Sequence, residues 1–326
     1  MKILLTGASG FVGSHILDCL RQRGLPTVLL LRPSSNRRFL ASHLAEVEVC
    51  SGAVDDPASL RRAMDGITHV IHCAGATKAV RTSGFYEVNQ GGTRHVVAAI
   101  NERPGQVRRL VHISSLAAAG PAQPARPARE EDAPRPVSEY GKSKLAAETE
   151  VRDHCRAESV ILRPPAVYGP RDAEFLRLFR AVKRHVRPGL SGAQALSLVF
   201  VKDLAAAVVA CLTHPAAAGR TYYVAAREIT TARALAETVA AQMNRWTLPL
   251  PLPVALLWPI CLGQEAWSRL TGRASVLSLQ KFAELRAPGW VCDPGRLERE
   301  TGCVCATTLE AGLAETRRWY QEQGWL

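Results

Sequence analysis

Tyr140 and Lys144 stand four residues apart in the run Tyr140-Gly-Lys-Ser-Lys144. The run opens a helical stretch, so both side chains project from one face, a turn apart. A phenol titrates at about 10 and is a poor acid–base group at neutral pH. An ammonium fixed beside it should lower that value, and a phenol so tuned can exchange a proton with a hydroxyl or carbonyl oxygen. Upstream, Leu110-Val-His-Ile-Ser-Ser-Leu116 ends a buried run with Ser114 and Ser115, where a hydroxyl can orient a reacting oxygen. Alone, the Tyr–Lys pair reads equally well as a surface contact, and the Ser pair as a turn cap. Their order behind a third feature gives them meaning.

That feature is Thr6-Gly-Ala-Ser-Gly-Phe-Val-Gly13, between the apolar run Lys2–Leu5 and an amphipathic helix that starts near His15. The first glycine permits the tight turn, the second lets the backbone approach a pyrophosphate, and the third lets helix and strand pack closely. The helix N-terminus adds free N–H groups and partial positive charge. A dinucleotide is the expected occupant; Tyr140 becomes the proton partner of a hydride transfer at its nicotinamide, which when oxidised is expected to join Lys144 in lowering the phenol's pKa. A second strand, Thr27–Leu31, ends at Arg32, nineteen residues after Gly13 and with no carboxylate nearby. A carboxylate there would bind the ribose 2′-hydroxyl of NAD; a cation accommodates the 2′-phosphate of NADP. The expectation is NADP(H), with NAD(H) and a merely solvated basic loop as alternatives.

The elements that must position these residues follow from the pattern of apolar runs. Strands at Val47–Cys50, His69–His72, Leu110–Ile113 and Ser159–Leu162 alternate with helices at Ala58–Met64, Thr93–Ile100 and Ser138–Ala157. Such alternation predicts an α/β fold, a doubly wound parallel sheet with helices on both faces. Gly120–Pro136, rich in Pro, Ala and Arg, reads as a loop. After Tyr168 the rhythm loosens. Val199–Leu212 reads as a strand running into a helix, Tyr222–Val224 as a strand, and the chain beyond Ile229 as largely helical. Residues 1–168, with 198–225 returning to them, are expected to form the dinucleotide domain. Residues 169–197 and 226–326 are expected to form a smaller, mostly helical substrate lobe.

Composition narrows the partners. The 326 residues are 47% hydrophobic, enough for a sizeable core, and carry a formal charge of +12, which suggests an anionic partner. The arginines are dispersed, with no basic tail or aromatic–basic signature, so nucleic acid is not expected. Nine cysteines form no CxxC pair, and free thiols together with the lack of a leader point to a cytoplasmic protein. His15, His43, His72, His95, His112 and His154 form no metal-ligand or triad pattern, and no metal is expected.

The chain resembles the extended short-chain dehydrogenases/reductases, the NAD-dependent epimerase/dehydratase superfamily. The likeness rests on Thr6–Gly13, His72-Cys-Ala-Gly75, Val88-Asn-Gln-Gly-Gly-Thr93, Ile113–Ser115, Tyr140–Lys144, Leu162-Arg-Pro-Pro-Ala-Val-Tyr-Gly-Pro170 and Phe200-Val-Lys-Asp-Leu204. The resemblance implies a Rossmann fold and a catalytic set of Ser115 (or Ser114), Tyr140 and Lys144, with Lys144 also holding the nicotinamide ribose. It implies cofactor contacts from Gly7, Ser9, Gly10, Phe11, Val12, Gly13, Arg32, Cys73, Ala74, Gly75, Tyr140, Lys144, Pro164 and Val167, and a supporting role for Asn89. The family often has an Asp after the glycine of the third strand. Here Ala53 follows Gly52, so the adenine contact is expected from backbone groups of Ala53 and Val54.

Nucleotide-sugar enzymes of this family usually carry an Arg shortly before the Val-x-Asp-Leu segment, and Gly192–Asp203 is apolar there. The segment instead resembles the 3β-hydroxysteroid dehydrogenase and dihydroflavonol reductase side, which implies an apolar ketone or secondary alcohol of steroid, terpenoid or polyketide type. A nucleotide-sugar epimerase or dehydratase is the alternative enzyme, and a non-catalytic NAD(P)-sensing module the alternative class. The proline-punctuated run Trp246–Leu262, leading to a helix that ends near Thr271, is too short and interrupted to span a membrane. It reads as a core helix, as a pocket wall, or as a peripheral membrane contact with arginines on anionic lipid. A homodimer stays open.

Overall fold

Strands carry unpaired backbone N–H and C=O groups that must find partners, and in the computed structural model seven of them form one parallel sheet. The structure describes residues 1–190, 194–252, 258–259, 261–264, 271 and 279–326. Strands β1 (Ile3–Thr6), β2 (Thr27–Leu31), β3 (Glu48–Ser51), β4 (His69–His72), β5 (Arg109–Ile113) and β6 (Glu158–Arg163) are followed by β7 (Ala166–Tyr168), β8 (Val186–Leu190), β9 (Ala195–Phe200) and β10 (Thr221–Tyr223). The sheet runs β10-β6-β5-β4-β1-β2-β3, with β1 paired to β2 from Ile3↔Thr27 and to β4 from Ile3↔His69. Strand order therefore reverses between β1 and β4. At such a switch point the loops leave in opposite directions and open a crevice at the strands' C-terminal ends.

Both faces of this sheet are covered, which is why β1 and β2 read as unbroken apolar runs. On one face Ile3, Leu5, Leu29 and Leu31 pack against Ile16, Leu17 and Leu20 of helix α1 (Phe11–Gln22) and against the helix Val201–Cys211. On the other, Leu4, Leu30, Val70 and Leu110 meet Leu60, Val96, Val97 and Val151. These come from α2 (Pro57–Ala63), α3 (Gly92–Asn101) and α4 (Glu139–His154). Each fully buried aliphatic side chain contributes about 1.5–3 kcal/mol of transfer free energy, so the two faces together hold the crevice rigid.

The remaining strands leave this sheet. Strand β9 pairs with β7 (Ala166↔Leu198), with β11 (Ile229–Thr231), and with β13 (Gly289–Trp290). Residues 166–168 and 198–200, expected in the dinucleotide domain, thus lie in a second sheet; the return to the main sheet consists of the helix Val201–Cys211 and β10. Periodicity alone cannot tell which sheet a short apolar run joins. The third sheet pairs β8 with β12 (Leu248–Leu252). A third core of Phe179, Tyr168, Phe200, Leu313 and Tyr320 unites α5 (Phe175–Lys183), α6 (Ala232–Gln242) and the C-terminal helix Leu309–Glu322.

The Gly120–Pro136 loop is tied down. Ala122 N–H donates to Gly289 O at 3.1 Å, Ala128 N–H to Val291 O at 3.1 Å, and Asp293 N–H returns to Ala128 O at 3.0 Å. Most of the apolar run from 253 to the Thr271 region lies outside the described residues.

Candidate active site

The glycine turn follows β1 directly, and its geometry explains its composition. Gly7 has φ +77°, and a Cβ there would lie 2.6 Å from the Ala74 nitrogen; on Gly13 it would lie 2.1 Å from the Gly7 oxygen. Both positions exclude a side chain because backbone approaches backbone. Gly10 caps α1 without a side-chain hydrogen bond, and no acidic residue stands in the first turn. The helix therefore presents its first amides and positive end bare, the condition for holding a phosphate. Ser9, Phe11 and Val12 are half-buried along this rim.

Across the crevice, Cys73, Ala74 and Gly75 leave β4. Ala74 N–H donates to Thr6 Oγ1 at 3.2 Å, and Thr6 Oγ1 meets His72 Nδ1 at 2.8 Å. His72 Nε2 lies 3.0 Å from Thr93 Oγ1, which itself donates to Asn89 O at 2.6 Å. With the Thr93 proton engaged there, His72 donates from Nε2 and accepts at Nδ1 from Thr6. Burial holds its imidazole neutral, with a pKa lowered to about 3. Asn89 closes the chain: its Oδ1 accepts from Ala76 N–H at 2.8 Å and its Nδ2 donates to Ser143 Oγ at 2.9 Å. Asn89 thus couples the loop after β4 to α4.

Helix α4 starts at Ser138, whose hydroxyl accepts from Gly141 N–H at 3.1 Å. The structure brings Ser115, Tyr140 and Lys144 together. Ser115, half-buried just beyond β5, accepts from Ala117 N–H at 3.1 Å, and its hydroxyl stands near enough to the Tyr140 phenol to lower its pKa. Lys144 Nζ, 5% exposed as a residue, donates to Ile113 O at 2.6 Å. A Cβ added to Gly75 would lie 3.7 Å from Lys144 Nζ, so the ammonium borders the crevice. Ser114 points the other way and donates to Glu148 Oε1 at 2.5 Å. Glu148 is fully buried and is gripped by Arg163 Nε at 2.8 Å and Nη2 at 2.7 Å.

The electrostatics differ from the expectation. Burial pushes the Tyr140 phenol up to about 12, against a lowering by the Ser115 hydrogen bond, with Glu284 and Cys73 raising it further. Burial lowers Lys144 to about 8. The depression expected from Lys144 and an oxidised nicotinamide together does not arise from the chain's own residues, because desolvation outweighs their favourable contacts and Lys144 is drawn onto a carbonyl. Burial likewise pushes the Cys73 thiol up to about 11.

Other candidates are placed as follows. Arg32 is exposed at the end of β2, and its guanidinium has no ion pair among the described residues. Arg38 is engaged by Gln323 and the Trp325 ring. The Ala53 N–H, expected to meet adenine, is donated to Ser59 Oγ at 3.1 Å, and the Val54 carbonyl meets His95 Nδ1 at 3.0 Å. Of the backbone groups of Ala53 and Val54, the Ala53 N–H and the Val54 carbonyl are thus engaged within the chain, by Ser59 on the first turn of α2 and His95 on α3. Pro164 is buried behind Ser115, its carbonyl accepting from Leu116 N–H at 2.8 Å. Val167 is half-buried in β7 and packs on the α1 core.

Two features escape the sequence pattern. Glu148 sits four residues after Lys144, and a carboxylate on the buried face of a helix is the signal that could have found it. Glu284 of the helix Leu279–Leu285 accepts from Ser138 Oγ at 2.8 Å, across 146 residues. Nothing local marks it. Among the described residues no group of His, Cys, Asp and Glu could hold a metal ion.

Residues 3–225 match the model of the NAD dependent epimerase/dehydratase family. The chain is 32% identical to a protein named ceramide reductase from Caulobacter vibrioides, over 99% of this chain and 96% of that one. It is 29% identical to a UDP-glucose 4-epimerase of Vibrio cholerae, over 84% and 87% of the two chains. Its fold matches that of a UDP-glucose 4-epimerase of Thermus thermophilus solved with NAD, at TM-score 0.78 and 24% identity, over 98% and 99%.

Proposed function

The chain belongs to the NAD dependent epimerase/dehydratase family and is an NAD(P)-dependent oxidoreductase of the extended short-chain type; from that premise we propose that it reduces an apolar ketone to a secondary alcohol, with Tyr140 as proton donor. One observation carries the reading: the half-buried Tyr140, its phenol influenced by the Ser115 hydroxyl, stands one helical turn from Lys144, whose ammonium borders the crevice between Gly75 and the bare end of α1.

The residues fit a dinucleotide. The α1 N-terminus would hold the pyrophosphate, Lys144 the nicotinamide ribose, and Arg32, without a carboxylate partner, the 2′-phosphate that distinguishes NADP(H). Bound there, the reduced nicotinamide supplies the hydride. Ser115 hydrogen-bonds the substrate oxygen and orients it toward Tyr140. A phenol held at about 12 is fully protonated at neutral pH, which suits donation to an oxygen that gains charge as it is reduced. The Lys144 ammonium, one helical turn away, stabilises the phenolate left behind.

The substrate class rests on two supports. The apolar segment Ala195–Phe200 has no arginine for a diphosphate, and a relative 32% identical over 99% of this chain is named for reducing a ceramide, a lipid. A long-chain lipid ketone is therefore the favoured member of the apolar class. The Vibrio cholerae relative favours nucleotide-sugar epimerisation as the second reading. NADPH oxidation measured against lipid and steroid ketones separates the two: turnover is expected there, and activity confined to UDP-sugars would overturn the proposal.

A further inference from the structure

The fold exposes an apolar, cationic surface far along the chain from the residues discussed above. Leu248 N–H donates to His185 O at 2.9 Å, which sets the end of α5 against the turn that leads into β12. The His185 ring stacks on the Trp246 indole with centroids 4.2 Å apart, and its Nδ1 meets Trp246 O at 2.9 Å. Even so, Trp246 stays 66% exposed, Leu248 65% and Leu250 50%. Leu248 and Leu250 lie two apart on a strand and share its face. Trp258 and Leu262 are also exposed. Single exposed apolar residues are ordinary, but Trp246, Leu248 and Leu250 within five positions of one another mark an interaction surface.

The charges around Trp246 select the partner. Lys183, Arg184 and Arg245 are exposed, and none has an ion pair among the described residues, whereas the neighbouring Arg187 is neutralised by Glu237. Three unpaired cations flank an indole and two leucines at the place where α5 meets β12. We infer that this surface docks on an anionic lipid bilayer, with Trp246, Leu248 and Leu250 entering the headgroup region and Lys183, Arg184 and Arg245 engaging lipid phosphates. Tryptophan and leucine favour that depth, and basic side chains are drawn to the negative surface. The formal charge of +12 acts in the same direction. No helix among the described residues is long and apolar enough to cross a membrane, and the contact inferred is a peripheral one. A second copy of the chain is a poorer occupant, because a two-fold axis through the patch would bring the same three cations face to face.

The test is co-sedimentation of the full chain with phosphatidylcholine vesicles, with and without phosphatidylglycerol, at low and high salt. Binding is expected only to the phosphatidylglycerol vesicles, with release by salt. Arg184→Gln and Arg245→Gln should each weaken partitioning about fivefold, and Trp246→Ser with Leu248→Ser should remove it. Thermal unfolding checks that each variant is folded, and the two arginine variants decide the matter if the double serine variant is not. Absence of binding at low salt, or equal binding by all folded variants, overturns the inference. So does self-association that Trp246→Ser abolishes, which would assign the surface to a second copy.

Discussion

Lys144 donates from Nζ to the Ile113 carbonyl at 2.6 Å, so the ammonium one turn beyond Tyr140 is anchored to the strand that leads into Ser115. The bond fixes where the charge sits, and burial sets how readily it is held. Both groups of the pair depart from their ordinary titration because the site excludes water.

That burial has a sign that can be measured. The folded-state pKa of Lys144 is lowered to about 8, below the unfolded value of about 10.4. Below pH 8 both states are charged and the folded state bears the whole desolvation penalty. Between these values the unfolded state binds more protons, so stability rises with pH. The melting temperature of the native protein relative to Lys144→Met should climb from pH 7 to pH 10. A flat difference would mean that Lys144 titrates normally.

Tyr140→Phe removes the proton donor but keeps the ring that meets Phe85 edge-on. We expect kcat to fall by about 10²–10⁴ with little change in melting temperature. Unchanged steady-state turnover would refute the assigned role.

The two serines should separate cleanly. Ser115 faces Tyr140 and Ser114 faces Glu148. Ser115→Ala is expected to lower kcat and, because the hydroxyl also caps Leu116–Ala119 by accepting from Ala117 N–H at 3.1 Å, to cost about 1 kcal/mol of stability. Ser114→Ala should leave a buried carboxylate oxygen short of a donor and cost about 1–3 kcal/mol, read from denaturant unfolding, with kcat nearly unchanged. The opposite pattern would exchange their roles.

Arg163 and Glu148 form a buried ion pair beneath the site. Arg163→Met leaves the buried carboxylate only the Ser114 hydroxyl and the half-exposed Arg152, 2.9 Å away, and should destabilise by about 3 kcal/mol, while Arg163→Met with Glu148→Leu should recover most of that loss. Chemical denaturation of the two variants checks it.

The glycines differ in kind. Gly13→Ala forces a Cβ onto the Gly7 oxygen and should destabilise the fold by about 1–3 kcal/mol. At Gly10 the nearest atom would be 3.3 Å away, so Gly10→Ala should raise the cofactor KM with a smaller change in melting temperature. Arg32→Asp should shift preference from NADP(H) toward NAD(H); an unchanged ratio of kcat/KM values would remove Arg32 from the cofactor site.

Much of this was legible in the residues because it is local. A glycine spacing between an apolar run and an amphipathic helix reports its own turn, and alternating runs report a parallel sheet, since each strand must be covered on both faces. The Tyr140–Lys144 spacing is likewise set within one helical turn. Tertiary structure decided what depends on partners distant in sequence. It chose Ser115 over Ser114 to face Tyr140, because Glu148, held by Arg163 between α4 and β6, takes the Ser114 hydroxyl. It brought Glu284 to Ser138 across 146 residues and moved β7 and β9 into a second sheet. It also raised the Tyr140 pKa where the sequence suggested a lowering: spacing shows which charge stands near a group, but only packing shows how much water is gone.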